Sequence, residues 1–135
     1  MSPQLQRSLI GLACLVAAPL CLAQASGLSR TLVTKADVSV ANREAVVARV
    51  EVSPGSAAGW HTHPGDEISY VQDGEATLLQ AGQPPRKVAA GEAFVIPAGV
   101  VHNAINHGTA PIKLIGVYVV EKGQPLATPA PEPAR

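Results

Sequence analysis

Aromatic side chains are scarce in this sequence, and an excess of either charge and cysteine in the second half of the chain are missing. Aromatic residues are 3% of the 135 positions, one Trp, two Tyr and one Phe, which leaves no platform on which bases could stack. Ten Lys and Arg balance ten Asp and Glu. No basic footprint exists for a phosphate backbone, and nucleic acid is not expected as a partner. Cys14 and Cys21 are the two cysteines, and both fall in an uncharged apolar run over residues 9–22. What the chain has in quantity is turn chemistry, 12 Gly and 12 Pro, which argues against a helical bundle and fits short strands joined by turns.

The apolar run follows Arg7, is interrupted by Pro19 and leads to Ala23-Gln24-Ala25, a small-x-small pattern that signal peptidase accepts. Residues 1–25 therefore read as a signal peptide cut after Ala25. The run is shorter than the roughly 20 residues a membrane helix needs, so no membrane association is expected of the mature form. Leu20 before Cys21 is too bulky for a lipoprotein signal. Both cysteines depart with the leader, and disulfides, thiolate ligands and cysteine nucleophiles are excluded. The expected location is periplasmic or secreted.

At the other end, residues 122–135 hold four prolines and Leu126 as the single large apolar side chain. Such a segment buries too little to offset its ordering entropy and is expected to be a loose tail. One domain over residues 26–121 remains. Within it, Val46, Ala48, Val50 and Val52 alternate with Val47, Arg49 and Glu51, the period of a half-buried strand. Further β-rich runs cover residues 67–72, 75–81, 93–96 and 112–120. Turn signals separate them, and Asp73-Gly74 is the strongest hairpin signal of the set. The expectation is an all-β sandwich or closed barrel.

His61 and His63, one residue apart, point to one side of a strand. Pro64-Gly65-Asp66 can turn the Glu67 carboxylate back onto that face, and His102 follows a second turn, Pro97-Ala98-Gly99. Three imidazoles and one carboxylate suit a first-row transition metal rather than calcium or magnesium. No order of Ser, His and Asp suggests a hydrolase triad, and no glycine-rich loop suggests a phosphate cradle. His107 and Trp60 have the parity of outward residues, and Tyr70 is out of phase with Glu67 and is expected to pack rather than react.

The two blocks, Gly55-x5-His61-x-His63-x3-Glu67-x6-Gly74 and Gly91-x5-Pro97-x-Gly99-x2-His102-x3-Asn106, resemble the two motifs of the cupin superfamily at all ten fixed positions. The resemblance implies a single-domain antiparallel jelly-roll barrel of the cupin type-2 kind. It implies His61, His63, Glu67 and His102 as ligands of one divalent transition metal, with Asn106 helping to shape the site. Such a set leaves positions on the metal for water, dioxygen or substrate. Oxidative cleavage by a dioxygenase is the leading class, with Glu67 able to act as a base, followed by isomerase or lyase chemistry. The alternative is a non-catalytic metal or small-ligand binder. The interior is expected to be apolar, with no charged group beyond Glu67. Loading outside the cytoplasm favours copper, zinc or nickel over manganese or iron. A homodimer through residues 31–40 or Trp60 is the expected assembly.

Overall fold

The computed structural model describes residues 27–134; the expected leader, with Cys14 and Cys21, lies outside the described residues. Ten strands form two facing antiparallel sheets. The first sheet holds β1 (Leu28–Asp37), β2 (Arg43–Val52), β9 (Ile112–Glu121), β4 (Gly65–Asp73) and β7 (Ala93–Ile96), in that order. The second holds β10 (Thr128–Pro129), β3 (His61–Thr62), β8 (His102–Ile105), β5 (Glu75–Gln80) and β6 (Arg86–Ala89). No helix occurs among the described residues. This is the all-β jelly-roll barrel that the sequence led one to expect.

The alternation read from the sequence is the alternation of burial. Val46, Ala48, Val50 and Val52 of β2 face Ile112, Leu114, Tyr118 and Val120 of β9 within one continuous core. That core fills the space between the sheets, so side chains of β2, β4 and β9 that point inward are removed from water. Asn106 sits beneath it. Its amide donates to the carbonyls of Val52 and Ala110 and its Oδ1 accepts from Gly108 N–H, so it locks the turn that follows β8.

Two expectations need correcting. Asp73-Gly74 does not close a hairpin: β4 pairs with β7 and β9 while β5 pairs with β6 and β8, so this turn carries the chain from one sheet to the other. Gly74, at φ 84°, makes a corner there where an added Cβ would crowd Ile112, and a local turn preference says nothing about which strand lies next door. Nor is the C-terminal segment loose. Thr128 and Pro129 pair with Thr62 and His61, Ala130 N–H donates to the Trp60 carbonyl, and Leu126 packs against the core. Its order comes from an unsatisfied strand edge elsewhere in the chain, which composition alone does not reveal.

Candidate metal centre

His61 and His102 are direct cross-strand partners on β3 and β8, which sets their rings 4.2 Å apart, centre to centre. His63 lies just past β3, with its ring 4.9 Å from His61 and 5.1 Å from His102. Glu67 reaches the same point from β4, in the opposite sheet. One potential ligand atom from each of the four lies within 4.8 Å of every other. The structure therefore brings together all four residues singled out from the sequence.

Each imidazole is held from behind by a main-chain carbonyl: His61 Nδ1 by Gly59 at 2.7 Å, His63 Nδ1 by Leu126 at 2.5 Å and His102 Nδ1 by Val100 at 2.9 Å. A carbonyl only accepts, so Nδ1 carries the proton and, in the neutral ring, Nε2 presents a lone pair. For His63 and His102 that lone pair faces Glu67 Oε2, at 2.9 Å and 3.1 Å. His63 Nε2 is buried without a hydrogen bond. Lone pairs converging on an anionic oxygen repel one another unless a cation stands among them, and a buried orphan of this kind is the mark of a metal ligand. The donor set fits a divalent transition metal.

The rest of the surroundings hold the carboxylate in its charged form. Burial alone would raise the Glu67 carboxyl; without a metal, hydrogen bonds donated by His102 and His63 through Nε2–H, and by the Ser69 hydroxyl to Oε1 at 2.6 Å, outweigh it and hold the carboxyl well below the usual carboxylate range. Burial lowers the His61 imidazole to about 4; its bond to Gly59 resists this, and His102 and His63 add to it. The metal-free protein should accordingly lose stability in acid. Between pH 6.5 and about 4 the unfolded chain protonates His61 and the folded chain does not, so stability rises with pH across that window. Thermal unfolding of the metal-free protein at several pH values checks this, and a flat profile there would refute it.

The interior is not free of other charge, contrary to expectation. Arg30 of β1 and Tyr118 of β9 line a narrow cavity with His61, Glu67 and His102, walled by Leu28, Val50, Phe94 and Leu114 among others. Tyr118 is the cross-strand partner of Glu67, is 1% exposed, and its ring lies 4.8 Å from that of His63. Burial and the Glu67 charge push its phenol up to about 12 against the pull of Arg30, so it is a neutral O–H donor. The parity of Leu114, Gly116 and Val120 could have placed Tyr118 inside. Tyr70 is on the outer face, 49% exposed, and His107 is exposed as expected. Trp60 lies outside the metal cavity, beside Glu132 and Pro133 of the C-terminal segment.

Two facing sheets bring three histidines and a glutamate together beside a cavity, the arrangement of a β-barrel fitted to hold a metal ion. The model of the Cupin domain family matches residues 48–128, and the chain belongs to that family. It is similar to nectarin-1 of Nicotiana langsdorffii x Nicotiana sanderae, 33% identical over 81 residues, 53% of this chain and 34% of that protein. It is also similar to an oxalate-binding protein of Thermotoga maritima, 29% identical over 80 residues, 58% of this chain and 65% of that one. The chain spans about a third of the length of the plant relatives it matches. Among solved structures, an uncharacterized conserved protein with a double-stranded beta-helix domain from Klebsiella pneumoniae superposes with a TM-score of 0.60 at 26% identity, covering 75% of this chain and 84% of that one.

Proposed function

We propose that this chain is an exported cupin that holds one divalent transition metal through His61, His63, Glu67 and His102 and acts as an enzyme on a small, oxygen-rich organic molecule. The observation that carries the reading is the convergence of buried Nε2 atoms on Glu67 beside a cavity that contains a neutral phenol. When bound, the metal would supply Lewis acidity or, if redox-active, electrons for dioxygen chemistry. Oxidative cleavage leads among the reaction classes, followed by isomerase or lyase chemistry. Glu67 is the base of the proposal, held ionised with Ser69 on one oxygen. Arg30 and Tyr118 orient the molecule, and the apolar walls exclude water. The cavity is narrow, which favours small substrates over large aromatic ones.

Turnover under the proposal depends on Glu67 more than metal retention does. Glu67→Gln should keep much of the metal binding while lowering turnover by about 100-fold or more, the usual worth of a positioned base. Metal titration and dioxygen uptake on the metal-loaded protein read the two effects separately. A second reading, a non-catalytic binder, is favoured by the relative whose name records oxalate binding. In that case the substitution leaves ligand affinity in place and there is no turnover to lose. Protein from its native compartment should begin at Ser26 and carry copper, zinc or nickel; iron or manganese alone would sink the metal assignment.

The outer face of the first sheet supports a homodimer. Ile68, Tyr70 and Val95 are exposed there on neighbouring strands, and Leu32 and Val33 are exposed on β1. Light scattering should give twice the mass of the mature chain, and a monomer at high concentration would reject the pairing.

A further inference from the structure

Arg30 is the single cation lining the metal cavity among the described residues, and no carboxylate lies within salt-bridge distance of it. Its cross-strand partner, Val50, is buried in the core, and residues opposite one another on paired strands share a face, so Arg30 points inward. The guanidinium carbon stands 5.6 Å from the centre of the Tyr118 ring. Nε is buried and makes no hydrogen bond. A buried donor left without a partner is costly, and more so when it is charged. Glu67 does not relieve it: Oε1 takes the Ser69 hydroxyl and Oε2 faces His63 and His102.

We propose that Arg30 anchors the carboxylate of a small organic acid whose adjacent oxygen faces His61, His63, Glu67 and His102. The ligand class is a carboxylate of a few heavy atoms with a second oxygen on the neighbouring carbon, as in 2-oxo acids, 2-hydroxy acids and oxalate-sized dicarboxylates. This rests on the metal-site reading above and narrows its substrate. The cavity favours small size. Charge selects within that size, because a neutral diketone or catechol would leave the cation of Arg30, its Nε buried without a partner, without a counter-charge. Tyr118 adds a neutral hydroxyl that can donate to the same guest.

The test uses the full mature chain loaded with zinc, which is redox-silent, and titrates it calorimetrically with pyruvate and with its neutral amide. Wild type should bind pyruvate and bind pyruvamide at least about 10-fold more weakly, the worth of one charge-assisted hydrogen bond. Arg30→Gln should weaken pyruvate binding about 10- to 100-fold and leave zinc affinity and pyruvamide binding unchanged. Arg30→Lys should fall between, since the charge remains and the planar fork is lost. Unchanged pyruvate affinity in a zinc-loaded Arg30→Gln protein overturns the proposal. So does equal binding of acid and amide by wild type, a comparison that stands even if the glutamine variant does not fold. Failure of wild type to take up zinc, copper or nickel rejects the metal-site reading instead, and is visible before any acid is added.

Discussion

Gly65→Ala is expected to remove much of the stability of the domain, the largest loss of any single substitution considered. A Cβ on Gly65 would lie 2.0 Å from the Val119 carbonyl oxygen and 2.6 Å from Val120 Cα, and both are backbone atoms of the neighbouring strand. No rotamer change relieves a clash with main chain, so β4 must move away from β9. The two strands pair from Gly65 to Asp73, and their inner faces carry Val71, Leu114, Tyr118 and Val120 of the core. Separating them loses ladder bonds and core contacts together, a cost above about 4 kcal/mol. A small domain has roughly 5–15 kcal/mol in all. Circular dichroism melts and soluble yield measure the outcome. A melt like that of wild type would show that β4 and β9 can part cheaply, which the packing around Gly65 denies. Glu67 is two residues along the same strand, so any protein that does fold should also bind metal poorly.

Legibility followed the range over which each signal acts. The four ligands were readable because His61, His63 and Glu67 lie within seven residues, where strand parity and one turn fix their directions, and His102 follows its own turn. Core positions on β2, β4 and β9 were readable for the same reason: alternation is local. Arg30, and the position of Tyr118 beside Glu67 as distinct from its inward parity, were not read into the site, because they depend on register between strands far apart in sequence, Arg30 with Val50 and Tyr118 with Glu67. Asp73-Gly74 shows the converse. Its local preference for a turn is satisfied, yet the strands it joins lie in different sheets, which only the global topology decides. β6 escaped notice since one of its four residues, Val88, is buried and no alternation can be seen in so short a run. The C-terminal segment escaped because its stabilising partner is the open edge of β3, about 65 residues upstream.

That segment leads to the second large effect. Ending the chain after Lys122 should weaken metal binding by about 10- to 100-fold, the usual worth of a group that orients a metal-ligating histidine. The Leu126 carbonyl is the acceptor for His63 Nδ1–H, and without it nothing fixes the ring with Nε2 toward Glu67. The same truncation removes the strand partner of His61 and Thr62 and the donor to the Trp60 carbonyl, so β3 keeps β8 as its only neighbour. A chelator competition titration reads the affinity. Leu126→Ala separates orientation from packing, because it keeps the carbonyl and removes the side chain that touches the core. It should cost stability but change metal affinity far less than the truncation. Equal affinity in the truncated and full-length proteins would mean that water replaces the carbonyl at His63 without loss. A large fall in both variants would mean that packing by Leu126, rather than its carbonyl, holds the site in shape.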